Sequence, residues 1–222
     1  MNIKQLTGQD NAHILMLDEH CGIHKDIEHP WQKMCTAALQ DNLVLKIASG
    51  YRSFERQLSI WNRKFIGELP IKNQQGQVID IKTLTNEEKV NAILLFSALP
   101  GASRHHWGTD IDIYAENLLP SNEKLQLEPW EYEKEGPFEL LSQWLKKHST
   151  EFGFYFPYDK YRQGVAAEPW HLSYQPLASG FLSKLIINEL TLVLLNSDIQ
   201  GKGDIINNIE RIYSRYVTNI NH

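Results

Sequence analysis

Apolar and polar positions along this chain repeat with two periods, and the switches between them mark the elements. After Pro30 the stretch WQKMCTAALQDN has helical spacing, with proline in the first turn, where its missing N–H costs nothing. The β-branched and aliphatic run from Leu43 to Ala48 predicts a strand that ends at Ser49-Gly50. Ser53 is placed to cap a helix through about Phe65, with Leu58, Trp61, Asn62 and Phe65 along one side. A polar segment, KNQQGQ, precedes VIDIKTL, which alternates like a strand or an extended loop. Thr85-Asn86-Glu87-Glu88 is a capping box ahead of the apolar run Val90 to Leu99, which Pro100-Gly101 stops. Thr109 to Tyr114 alternates strictly, with Thr109, Ile111 and Ile113 on one face and Asp110, Asp112 and Tyr114 on the other. Two carboxylates on one side of a strand are uncommon. Beyond them the pattern predicts a helix from Pro137 to about Phe152 ending at Gly153, a short FYF strand, and a strand from His171 to Tyr174. Helices over Leu177 to Leu195 and Asp204 to Val217 complete an α+β reading: a small, mainly antiparallel sheet flanked by helices.

At 222 residues, with no repeat or charge block, the chain is expected to form a single domain. Its motif-bearing core spans about 43–176, and a C-terminal helical extension about 177–222. Apolar residues at 42% and charged residues at 22% are ordinary globular values, which exclude a disordered, collagen-like or coiled-coil chain. The formal charge of −5 provides no basic field, so nucleic acid is not an expected partner. Two cysteines are too few for a disulfide scaffold or a four-thiolate zinc site. The first twenty residues lack a sustained apolar core, and Phe181 to Leu195 is too short and too interrupted to cross a bilayer. The expected location is the cytoplasm, with the cell envelope as the alternative.

The chemistry is concentrated in two segments. In SRHHWGTDID, residues 103–112, loop histidines adjoin an acidic strand face, with Gly108 between them permitting a sharp turn. In Glu168-Pro169-Trp170-His171, the proline excludes a helix at Glu168, so this is not a helical HExxH site. Two imidazoles and one carboxylate suit Zn²⁺, and three protein ligands leave a fourth tetrahedral position for water, the pattern of a catalytic zinc. Glu168 is then a spare carboxylate able to accept a proton from that water.

Together with Ser49-Gly50-Tyr51-Arg52-Ser53 and Gln57, these residues resemble the VanY-type D-alanyl-D-alanine carboxypeptidases, within the lysostaphin, D-Ala-D-Ala peptidase and hedgehog group of zinc proteins. The likeness rests on SxHxxGxxxD from Ser103 to Asp112, on ExWH from Glu168 to His171, and on SGYRS at 49–53, in family order over about residues 43–176. It implies one zinc ion on His105, Asp112 and His171, with Glu168 as general base and proton shuttle. It also implies that Arg52 stabilises the oxyanion or holds the substrate's terminal carboxylate, with Gln57 and Ser103 contributing to substrate binding. A guanidinium suits the Arg52 role because it is a rigid fork of donors that stays charged. Where the family has a small residue, this chain has Asp110, so two carboxylates are candidates, and Asp112 matches the pattern. The implied partner is a short peptide, a peptidoglycan stem peptide ending in D-alanine. The rival is a non-catalytic zinc-binding module of hedgehog type that recognises a peptide or protein.

Other residues carry plainer expectations. His106 reads as a surface histidine or a support for its neighbours, and Trp107 and Trp170 as core or pocket wall. Asp110 reads as a hydrogen-bonding support for a ligand histidine, and Ser103 on its own as a turn-stabilising hydroxyl. His13, His20, His24 and His29 read as exposed, although His20 and His24 have helical ligand spacing. The segment from Trp130 to Glu135 reads as a solvated loop with one buried ring.

Overall fold

The computed structural model describes residues 1–221. The chain opens with a helical turn, α1 (Ile3–Leu6), and a hairpin of β1 (Ile14–Met16) and β2 (Gly22–His24). Helix α2 (Glu28–Gln40) leads into β3 (Leu45–Ser49), and α3 (Phe54–Phe65) into a second hairpin, β4 (Ile71–Lys72) and β5 (Val78–Ile79). Next come α4 (Asn86–Leu94), β6 (Asp110–Ala115), α5 (Pro129–Tyr132), α6 (Glu139–His148), β7 (Phe154–Tyr155) and β8 (His171–Tyr174). Helices α7 (Gln175–Lys184), α8 (Ile187–Leu195), α9 (Lys202–Asn207) and α10 (Ile209–Ile212) follow.

The central sheet has the order β3-β6-β8-β7 and is antiparallel throughout, as the α+β reading expects. Its register pairs Asp112 with His171 on one side and, past an irregularity between Ile47 and Ser49, with Ser49 on the other. One line across three strands therefore carries all three residues. Ile111, Ile113 and Leu172 are fully buried on the opposite face, packed with Trp31, Met34, Leu141 and Leu145 from α2 and α6. Full burial of each such side chain contributes about 1.5–3 kcal/mol, so the alternation on β6 ties the acidic face in place. A second core joins α3, α4 and the C-terminal helices through Trp61, Phe65, Ile93, Phe181, Leu190 and Ile212.

Local signals account for most boundaries. The Ser53 hydroxyl accepts the Arg56 N–H at 3.2 Å at the head of α3, and Thr85 with Glu88 closes the capping box on α4. Gly153 takes the left-handed conformation after α6 and its 3₁₀ turn. Three expectations are corrected. Helix α4 stops at Leu94, because residues 95–99 are drawn into a loop whose Leu95 carbonyl accepts the Ala166 N–H at 2.9 Å. The single helix expected over 177–195 is two, bent by 72°, because Leu185, fully buried, leaves the helical region and its carbonyl accepts from the Tyr213 hydroxyl. The segment from Trp130 to Glu135 is only partly solvated. Tyr132 is its buried ring and donates to the Ile113 carbonyl at 2.7 Å, but the Glu131 carboxylate is also buried, accepting the Gln126 and Glu128 amides. Among the described residues no single helix is long and apolar enough to cross a membrane.

Candidate metal centre and active site

Three chain segments meet over the acidic face of β6. The first is a 3₁₀ turn, Arg104–Trp107, closed by Gly108 in the left-handed region at φ 67°. A Cβ at Gly108 would come within 2.6 Å of the His24 amide nitrogen, and the Gly108 carbonyl accepts that N–H at 2.8 Å, so only glycine fits. The second is β6 itself. The third is a turn over Glu168-Pro169-Trp170-His171, in which the His171 N–H donates to the Glu168 carbonyl at 3.1 Å. Proline sits in its second position, where a fixed φ favours the turn, and this brings the Glu168 and His171 side chains together.

The hydrogen bonds assign the tautomers. His105 Nδ1 lies 2.9 Å from the Gly50 carbonyl, which can only accept, so Nδ1 carries the proton and Nε2 is left bare, 3.4 Å from Asp112 Oδ2. His171 Nε2 lies 3.0 Å from Asp110 Oδ1, so its proton is there and Nδ1 points at Asp112 Oδ1, 3.1 Å away, and at Glu168 Oε2, 3.3 Å away. One ligand atom from each of His105, Asp112 and His171 lies within 4.8 Å of the other two, and all three residues are buried. Asp112 Oδ1 and His171 Nδ1 have no hydrogen-bond partner among the described residues, although both are inaccessible to solvent. Tetrahedral zinc with bonds near 2.0–2.1 Å sets its ligand atoms about 3.4 Å apart, which the 3.4 and 3.1 Å from Asp112 to His105 and to His171 match.

Asp110 stands behind this triad. It accepts from Arg104 Nε at 2.7 Å, Thr109 Oγ1 at 2.9 Å, Ser173 Oγ at 3.0 Å and His171. Arg104 is almost fully buried and also donates to Ser173 Oγ at 2.7 Å. Burial pushes the Asp110 carboxyl up, but Arg104 and the His171 bond outweigh it and hold the group well below the usual carboxylate range. For Asp112, too, burial works upward and is outweighed by His105 and His171. All the contacts of Asp110 are thus taken by Arg104, Thr109, Ser173 and His171, whereas Asp112 Oδ1 has no hydrogen-bond partner among the described residues, so Asp112 is the better placed of the two candidates.

A cavity of about 440 Å³ opens onto the triad, lined among others by Arg52, Lys64, Ser103, Tyr158, Glu168 and Trp170. Arg52 Nη1 donates to Gln57 Oε1 at 2.8 Å and Nη2 to Ser49 Oγ at 3.0 Å, which leaves further guanidinium donors for a ligand. Gln57 is fully buried and also donates to the Ala98 carbonyl at 2.6 Å. It stands behind Arg52, outside the residues that line the cavity, and its amide oxygen accepts from the guanidinium. Ser103 lines the cavity, and its hydroxyl is buried with no hydrogen-bond partner among the described residues, which corrects the turn-stabilising reading.

Of the two readings of His106 the support holds and the surface one does not, and the exposure expected of His13 and His24 is corrected. His106 is fully buried, with Nε2 accepting the Gly101 N–H at 3.0 Å and Nδ1 donating to the Arg52 carbonyl at 2.6 Å. Burial lowers its pKa to about 3, so it is a neutral strut fixing the backbone of Arg52. His105 and His106 together therefore grip the segment from Gly50 to Arg52. His13 and His24 are buried too: His13 Nε2 donates to the His106 carbonyl at 3.1 Å, while His24 ends β2 and accepts the Asp26 N–H. Their burial was not readable because β1 and β2 are three residues each and show no period. His20 and His29 are exposed, and His24 lies on a strand, so no helical pair forms.

Comparison with known proteins agrees with this geometry. The chain is 40% identical over 121 residues to an uncharacterized protein of Haemophilus influenzae, a match covering 54% of this chain and 92% of that one. Among solved structures it is similar to VanYB in complex with D-alanine-D-alanine, with 25% identity, a TM-score of 0.54, and coverage of 86% of this chain and 92% of that one. It is likewise similar to a variant of the vancomycin-resistance D,D-pentapeptidase VanY in complex with Zn(II), with 25% identity, a TM-score of 0.52, and coverage of 82% and 92%. The VanY family, described as D-alanyl-D-alanine carboxypeptidase, matches residues 20–177, well over half of the chain. With that match spanning both the SGYRS segment and the His-Asp-His triad, the chain belongs to the VanY family of D-alanyl-D-alanine carboxypeptidases.

Proposed function

We propose that this protein is a zinc-dependent carboxypeptidase that releases D-alanine from peptides ending in D-Ala-D-Ala, of the kind found in peptidoglycan stems. His105 Nε2, the Asp112 carboxylate and His171 Nδ1 would hold the ion. The observation that carries the reading is the placement of Glu168 Oε2 at 3.3 Å from His171 Nδ1, on the cavity side of the triad. A bound zinc ion supplies Lewis acidity, polarising the scissile carbonyl and making nearby water more acidic.

The remaining steps belong to the chain. Glu168 takes the proton that water loses as it attacks the carbonyl carbon, and returns that proton to the nitrogen of the leaving D-alanine as the C–N bond breaks. Arg52, held by Gln57 and Ser49, offers its free donors to the negative charge on the substrate, either the developing oxyanion or the terminal carboxylate. Ser103 Oγ adds a hydroxyl on the same wall. Asp110 holds the His171 proton on Nε2 and so keeps Nδ1 free for the ion.

The test is D-alanine release from a D-Ala-D-Ala-terminated peptide, with and without chelator, by the wild type and by Glu168→Gln. The expected result is release that chelator abolishes, and a Glu168→Gln variant that binds zinc with turnover lowered by about 10²–10⁴-fold. Zinc binding without turnover on any peptide would instead favour a recognition module, and undiminished turnover in Glu168→Gln would remove the base assignment.

A further inference from the structure

The cavity wall beside Arg52 carries a cation that the hydrolytic steps do not use. On α3, Gln57, Ile60 and Lys64 follow at i, i+3 and i+7, one side of the helix. Gln57 is spent on Arg52 and Ala98, whereas Ile60 and Lys64 line the cavity. Lys64 Nζ donates to Ser97 Oγ at 2.6 Å, a neutral partner, and no carboxylate lies within ion-pair distance of it among the described residues. An ammonium has three donors, so two remain. Lys72, on the same cavity, is already neutralised by Glu128. Burial lowers the Lys64 pKa, with Arg52 adding to the effect and Glu168 and Glu128 opposing it, which places these charges around one space. A partly desolvated charge without a counter-ion is costly to a fold and gains from an anionic ligand.

We propose that Lys64 is a specificity-determining subsite for a carboxylate on the peptide substrate, separate from the negative group that Arg52 takes. The proposal rests on the peptidase reading for its ligand class, a peptide, and adds that the preferred peptide carries an additional acidic group near the scissile bond. Ile60, with the neighbouring Leu69 and Pro70, gives that arm of the cavity an apolar floor, so the carboxylate is reached through a short hydrocarbon side chain. The Ser97 hydroxyl fixes the direction of Nζ, leaving it to the ligand to supply the charge.

The test uses the zinc-loaded full chain and pairs of D-Ala-D-Ala-terminated peptides that differ by one side-chain carboxylate-to-carboxamide change, made in turn at the two residues that precede the D-Ala-D-Ala terminus. The readout is the ratio of kcat/KM for acid over amide, which a general loss of activity does not move. The wild type is expected to favour the acid by about 10- to 100-fold in at least one pair, the size of a charge-assisted hydrogen bond. Lys64→Met is expected to bring that ratio near one, and Lys64→Arg to retain it. A wild-type ratio near one in both pairs, or a ratio that persists in Lys64→Met, overturns the proposal. If no peptide is hydrolysed, the peptidase reading fails by itself, and the same acid-to-amide ratio in calorimetric Kd decides the Lys64 subsite separately.

Discussion

Replacing Asp110 by Asn isolates the charge that supports His171. The amide has nearly the carboxylate's shape, and its oxygen can still accept from Arg104 Nε and His171 Nε2, which now lie 2.7 and 3.0 Å from Asp110 Oδ1. Its NH₂ would face Thr109 Oγ1 and Ser173 Oγ, hydroxyls able to turn and accept. What disappears is the negative charge beside Arg104, a guanidinium only 3% exposed. Leaving one member of a buried ion pair uncompensated costs about 3–5 kcal/mol. Independently, weakening the partner behind a ligand imidazole lowers metal affinity by about 10–100-fold. Urea denaturation of the metal-free protein measures the first effect, and competition with a chromophoric zinc chelator measures the second. A second substitution separates them: Arg104→Met on the Asp110→Asn background should recover part of the stability and none of the zinc affinity. A folded Asp110→Asn protein within about 1 kcal/mol of wild type, or with unchanged zinc affinity, would show that the Asp110 charge supports neither Arg104 nor the metal site.

Two further outcomes follow from contacts outside the triad. Arg52→Ala should keep its zinc and lose about 10²–10³-fold in turnover, the usual cost of removing an oxyanion donor; Gln57→Leu, which withdraws the acceptor behind Arg52, should lose less in the same steady-state assay. Stability should also depend on pH through His24, whose pKa burial lowers to about 4 from an unfolded value of 6.5. A depressed histidine pKa means that the folded state prefers the neutral ring, so its contribution is complete above pH 6.5 and is lost as pH falls through 6.5 towards 4. The loss should be roughly 2–3 kcal/mol, read from urea midpoints between pH 7 and pH 4 and diminished in His24→Asn.

The cavity wall around the triad was legible because its residues sit in short motifs with fixed local geometry. Strict alternation over Thr109 to Tyr114 placed Asp110 and Asp112 on one side of β6, and Pro169 excluded the helix that would have carried Glu168 away from its turn. Roles that depend on distant partners were not legible. His106 supports the Arg52 carbonyl, fifty-four positions away, and His13 bonds to the His106 carbonyl across ninety-three. No periodicity encodes such contacts. Helix α4 ended early and the helix after β8 broke at Leu185 for the same reason, since the contacts that claim the Leu95 and Leu185 carbonyls come from residues 166 and 213. In the sequence Lys64 reads as an ordinary charge near the end of a helix. Its neighbours on the cavity wall come from loops that only the fold assembles.

The proposed chemistry requires one ion shared by side chains from the 3₁₀ turn, β6 and the start of β8. Anomalous diffraction at the zinc edge from crystals of the zinc-loaded protein measures it directly. The expected map holds one strong peak about 2.0–2.2 Å from His105 Nε2, an Asp112 oxygen and His171 Nδ1, with Glu168 beside it and Asp110 outside the coordination sphere. A peak on Asp110 or on the His13 and His24 pair, or no peak between the three residues at full zinc loading, would contradict it.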